Sequence, residues 1–244
     1  MIAGPTSTIA AMADAVTTTM DSFDAASDLD LDRSDEDRQF FAARRALLVP
    51  HKTQLVNALR TIEDHDLDIG RRLQARVVFG DQVLDRGVVD GNARTKLGLK
   101  GKSGLEASHV FGKNVATLTR EKLALEPQKV LEAVGRMEDL PDFAERLAIA
   151  ADLTKRSNRQ QSCLDERSDG DAARSKLVST AIRLVLEGAQ ALAATKGALD
   201  ERFPRQRDYV AAFFLDVNSA ARPKAAAAPD AAPADPPAPA DLTG

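Results

Sequence analysis

The sequence predicts an all-α protein: a helical bundle of long antiparallel amphipathic helices, with an irregular basic, glycine-containing linker and a disordered C-terminal tail. Three observations carry that reading. Apolar residues recur every seven positions at Phe41, Leu48, Leu55, Ile62 and Ile69, the pattern of a stripe along a helix. Aromatic residues make up only 4% of the chain and Trp is absent. A core filled by Ala, Leu, Val and Ile suits closely spaced helices better than a sheet. Six of the 11 prolines fall after Ser219, among Ala and Asp, where too little apolar surface can be buried to offset chain entropy.

Composition sets the outer bounds. A chain of 244 residues with 43% hydrophobic and 29% charged residues has ordinary globular proportions and is long enough to bury a sizeable core. The net charge of −4 argues neither for nor against a polyanionic partner. A single cysteine, Cys163, excludes an intramolecular disulfide, argues against a Cys-based zinc site and matches a reducing compartment. Met1 to Met20 lacks a basic start and a compact Leu-rich run, so it does not read as a signal peptide. No window approaches the ~18 apolar residues that a membrane span requires. The expectation is therefore a cytoplasmic protein with no membrane partner. Its Ala-, Asp- and Arg-heavy usage resembles that of bacteria with GC-rich genomes.

Residues 1–33 read as an acidic, partly disordered segment, since nine residues between Asp14 and Asp37 are acidic and only Arg33 is basic. A helix over Ile9 to Met20 is weakened by Thr17-Thr18-Thr19. Ser34, three residues before Asp37, is placed to cap the first helix of a bundle domain over 34–216, with acidic residues favoured in its first turn.

Beyond that cap, Leu55, Leu59, Ile62, Ile69, Leu73 and Val77 share one helix face, with Asp66 its one polar member. A carboxylate on a buried face needs a partner, ordinarily an Arg from another helix. Pro50 removes a backbone donor and predicts either two helices, about 35–49 and 51–90, or one helix kinked there. Val77 to Leu84, β-branched around Gly80-Asp81, is the place where a small hairpin competes with helix.

Residues 91–125 read as an irregular basic segment: Gly91, Gly98, Gly101, Gly104 and Gly112 interrupt the periodicity, and seven basic residues against two acidic leave a local net of +5. Pro127 suits the first turn of a helix over 127–138, and Asp139-Leu140-Pro141-Asp142 opens another over 140–165. The polar stretch Thr154 to Gln161 then either projects into solvent or ends that helix. Ser168-Asp169-Gly170 is a turn signal joining antiparallel neighbours. A helix over 171–202 carries two adjoining stripes, one with Val178, Ile182 and Val185 and one with Leu177, Ala181, Leu184 and Gly188. After Pro204, a closing helix over 205–216 brings Tyr209, Val210, Phe213 and Phe214 to an aromatic core. Residues 217–244 form the tail.

Candidate chemistry is sparse. Gly101-Lys102-Ser103 evokes a phosphate-binding loop, but the glycine required five positions earlier is Lys96 and no strand precedes it. Asp28, Asp30 and Asp32 match the opening of a calcium loop, whose sixth and twelfth positions are instead Arg33 and Gln39. Glu106 and His109 make one Glu-x-x-His pair, where a di-iron bundle needs two. Glu63, Asp64, His65, Asp66 and Asp68 diverge around a helix. Cys163 has no His near it in sequence. No catalytic, cofactor or metal residue is assigned. The function expected is that of a non-enzymatic helical structural or protein-interaction protein, self-associating through a helix face. The alternative is polyanion or nucleic-acid binding through 94–122, with Arg94, Lys96, Lys100, Lys102 and Lys113 as the contacts. A metal-binding helical bundle is a further alternative.

Overall fold

The structure, a computed structural model, describes residues 5–29 and 33–214. Over them the chain is all-helical, with no strand. In order come α1 (Pro5–Leu29), α2 (Asp35–Asp64), a π-helical segment (His65–Gly70), α3 (Arg71–Gly98), α4 (Ala107–Phe111), α5 (Ala116–Thr119), α6 (Glu126–Arg136) with a closing 3-10 turn (Met137–Asp139), α7 (Arg146–Arg202) and α8 (Arg207–Ala212). The tail expected over 217–244 lies outside the described residues.

Helix α1 is longer than the weak Ile9–Met20 expectation. Ile9, Ala13, Val16, Met20 and Phe23 are all buried, at alternating spacings of four and three that keep them on one face. That stripe outweighs the poor propensity of the threonines, and the Thr19 hydroxyl donates to the Ala15 carbonyl one turn back. Ser34 caps α2 as expected, its Oγ accepting from the Asp37 N–H at 3.2 Å.

Pro50 does not divide the first long helix, because α2 runs helical through it. Leu48 and Leu55 on either side are both 0% exposed, so packing holds both flanking turns. The break comes later and has another cause. Phe41, Leu48, Leu55 and Ile62 are at most 1% exposed, whereas Ile69, expected next in the buried stripe, is 37% exposed. The inward count resumes one residue late, at Val77, Leu84 and Gly91. The π-helical segment accounts for the slip: the Arg71 N–H donates to the Asp66 carbonyl five residues back, which accommodates one extra residue in the turn. Arg76, where the strict seven-residue recurrence ends, is therefore an exposed residue on a re-phased helix.

Val77 to Leu84, where helix competes with a small hairpin in the sequence, is helical, with Val77 and Leu84 on the re-phased inner face. Two further expectations are corrected. Residues 91–98 form the last turns of α3, with Gly91 and Thr95 buried, so the irregular segment starts only at Leu99. Its turns use Gly101, Gly104 and Gly112 at φ of 80°, 127° and 74°, a region in which a side chain would be strained. Finally, Ser168-Asp169-Gly170 is not a turn but lies inside the 57-residue α7. A Cβ at Gly170 would stand 2.5 Å from Leu73 Cδ1, so this glycine is the notch that lets α3 approach α7.

The chain divides into two compact units, Met1–Ala13 with Pro50–Gln190 and Asp14–Val49 with Ala191–Gly244. In the first, Leu84, Val88, Phe111, Val130, Met137, Phe143, Ile149 and Leu153 make up much of one core cluster. The contacts of α7 there fall in reverse chain order along its neighbour: Arg174 meets Asp66, Glu166 meets Arg76, Gln160 meets Val77 and Arg156 meets the Val83 carbonyl, and Glu145 in the turn before α7 meets Arg94. The polar stretch Thr154–Gln161 neither ends α7 nor projects wholly into solvent. Ser157 and Gln160 are 0% exposed, the first donating to the Pro127 carbonyl and the second to that of Val77. In the second unit, the Phe213 ring packs tilted against Phe23 at 4.9 Å and against Phe41 at 5.5 Å, and Tyr209 meets Phe203 edge-on. The aromatic closing helix expected from sequence is realised there as α8.

Candidate functional site

The inner and outer faces of α7 differ in a way its sequence disguises. Ala181 and Gly188 are buried, and a Cβ on Gly188 would meet Met12 and Leu55 at 3.3 and 3.4 Å. The inward seam thus uses small residues to receive large ones. Ile182, read in sequence as part of an apolar stripe, is instead 48% exposed, Leu186 one turn on is 60% exposed, and Ala189 continues the same outer stripe. The expectation that no stretch of the chain is apolar enough for a membrane span is also corrected. Helix α7 holds an 18-residue stretch of mean hydropathy 1.3, of which 17% is buried. Arg183 and Glu187, an i,i+4 ion pair at 3.7 Å, interrupt the run of apolar residues and hide it from a count of consecutive positions. By length and composition alone this helix is able to cross a membrane.

The five basic residues predicted to hold a polyanion do not act as one cluster of free charges. Arg94 lies on α3, where its Nε donates to Glu145 at 2.7 Å and its Nη1 pairs with Asp90 at 3.7 Å. The Glu145 hydrogen bond is the first cause that raises the Arg94 pKa above its usual value. The Lys102 ammonium donates to the Asp142 carbonyl. Arg94 and Lys102 do line one hollow of about 290 Å³ with Leu97, Gly98, Phe143 and Glu145. Lys96, Lys100 and Lys113 are exposed on the last turns of α3 and in the loops that follow.

Sequence reasoning missed a different group of charges. Glu126, the first residue of α6, is 1% exposed, and its Oε1 has no hydrogen-bond partner. The same holds for Oδ1 of half-buried Asp85 on α3. Burial first, and then the facing carboxyls of Asp81 and Asp85, push the Glu126 pKa up to about 9. Burial also raises that of Asp85. At neutral pH Glu126 is therefore a neutral acid, able to donate a hydrogen bond to a carboxylate of α3. Sequence offered a weak signal, the i,i+4 pair Asp81 and Asp85, but nothing to bring Glu126 to it from 41 residues away.

Of the other sequence candidates, Glu106 and His109 do not make a shared site: the His109 ring lies 3.2 Å from Asp139 instead. Cys163 is buried. Asp66, the odd residue of the stripe, finds the Arg partner expected for it, in Arg174. Among the described residues no group of three or more His, Cys, Asp or Glu is arranged to hold a metal ion. Compared with known proteins, the chain matches no family model, no curated protein and no solved structure.

Proposed function

We propose that this chain is a non-enzymatic structural or protein-interaction protein of the cytoplasm, an antiparallel helical bundle that self-associates through a helix face. The observation that carries the reading is the outer stripe of α7. Its Ile182 and Leu186 stand 48% and 60% exposed within a stretch of mean hydropathy 1.3. Leaving such a stripe in water forgoes about 25 cal/mol per Å² of apolar area, and exposed apolar surface of this kind marks interaction sites. A second copy is the simplest occupant, since one patch then covers its own image across a two-fold axis. The antiparallel arrangement draws support from the reverse order in which α7 meets the π-helical segment and α3.

The polyanion alternative has fewer free charges behind it, because Arg94 is held by Glu145 and Asp90 and Lys102 by the Asp142 carbonyl. Light scattering on the full chain and on an Ile182→Glu, Leu186→Glu double variant tests the main reading. A dimer or larger assembly that becomes monomeric in the helical double variant supports it. A wild-type monomer that floats with phospholipid vesicles, or one that stays alone in solution, overturns it.

A further inference from the structure

Independently of the outer stripe, α3 and α7 leave between them a groove of about 500 Å³, a volume ample for a small organic ligand. Its lining is chemically divided. Along one wall stand Phe79 and Val83 of α3, Phe79 being 70% exposed. At the other wall, α7 supplies Lys155, Arg156 and Arg159.

These cations differ in what holds them. The Arg156 Nε donates to Asp152 at 2.8 Å and its Nη1 to the Val83 carbonyl at 3.0 Å, which fixes the guanidinium in place. Lys155 and Arg159 have no carboxylate partner among the described residues and are exposed at the rim. Asp152 is the one acidic residue in the lining, so the groove carries a net positive charge beside an apolar wall.

The floor is built rather than incidental. Gly80 lies over Gln160, and a Cβ there would fall 2.1 Å from Gln160 Oε1. Gln160 is 0% exposed, and its Nε2 is tied to the Val77 carbonyl at 3.2 Å while Oε1 accepts no hydrogen bond. A fully buried amide with one end unsatisfied is costly in a helix–helix seam. Here it marks a polar floor beneath the opening that the absent Cβ of Gly80 leaves.

We infer that this groove binds a small amphipathic anion, a carboxylate or phosphate ester carried on an apolar body. The body lies on Phe79 and Val83, and the head group is taken by Lys155 and Arg159 beside the fixed guanidinium of Arg156. Charge-assisted hydrogen bonds of this kind are the stronger class, and the apolar wall excludes a bare inorganic ion as the preferred occupant.

The chain reports on the site itself, because its single cysteine, Cys163, lines the groove. The test is calorimetric titration of the full chain with decanoate, phenyl phosphate, decanol and inorganic phosphate, together with the rate at which iodoacetamide alkylates Cys163. Saturable binding of decanoate or phenyl phosphate that slows alkylation is expected. A preference between the two assigns the head group to a carboxylate or to a phosphate ester. Lys155→Glu with Arg159→Glu weakens binding by about tenfold or more, and Phe79→Ala by roughly fivefold. All three side chains are exposed, so helical content checked by circular dichroism stays as in the wild type. Absence of saturation, wild-type affinity in these variants, binding of decanol as tight as that of decanoate, or an unchanged alkylation rate would each overturn the inference.

Discussion

Arg174 on α7 grips both carboxylate oxygens of Asp66, its Nε donating over 2.6 Å and its Nη2 over 2.9 Å. The grip falls on the π-helical segment, where the helix slips phase, and so fastens the turn most in need of an outside partner. The hydrogen bond from Arg174 is the first cause that lowers the Asp66 pKa below 3.8. Both side chains remain about 40% exposed, so solvent screening keeps the pair near about 1 kcal/mol. Arg174→Ala is expected to lower unfolding stability by about that amount, and Arg174→Lys to recover only part of it, because an ammonium cannot supply the two-pronged geometry. With the folded pKa depressed, the contribution is present at neutral pH and disappears as pH falls through the lowered value. Urea denaturation of the three proteins at pH 7 and pH 3 reads this out, and equal differences at both pH values would contradict it.

Glu126 predicts the opposite slope. Its folded pKa of about 9 lies above the ordinary value of 4.5, so the stabilisation is complete below 4.5 and lost progressively as pH rises toward 9. The loss approaches about 1.4 kcal/mol per pH unit from this one group. Glu126→Gln keeps the shape and an N–H donor for Asp81 or Asp85 while removing the titration. The variant is expected to be more stable than the wild type at pH 8 and to show a flatter profile. Parallel pH profiles of Tm for the two proteins would show that Glu126 is ionised in the fold.

The phase slip makes two isoleucines seven residues apart behave differently. Ile62 is 1% exposed and Ile69 37% exposed. Ile62→Ala is expected to cost about 2–4 kcal/mol through lost burial and the cavity it leaves, and Ile69→Ala well under about 1 kcal/mol. Chemical denaturation of both variants separates a re-phased helix from an uninterrupted one, in which the two costs are similar.

How much of this could be read from the chain depends on the range of the interaction. The helical class, the Ser34 cap, the aromatic role of Tyr209 and Phe213 and the need of Asp66 for an arginine were legible, because each follows from spacing or from the chemistry of one residue. Pro50 leaves one helix or two open and Gly170 misleads, because both are weighed by local propensity and both sit where packing decides: Leu48 and Leu55 hold the turns around Pro50, and Gly170 admits Leu73. The recurrence that ended at Arg76 was visible, but only hydrogen bonding five residues back explains how the inward face resumes at Val77. Glu126 beside Asp85, and Phe79 across from Lys155, join elements whose pairing no local pattern encodes. Those are the features with candidate chemistry.

The central claim, that the outer stripe of α7 is covered by a second copy, is tested most directly by sedimentation equilibrium of the full chain over a dilution series. The account predicts a mass at least twice the 26.2 kDa of one chain, shifting toward the monomer on dilution and lost when Ile182 and Leu186 become Glu. A single species of one chain's mass at every concentration would contradict it.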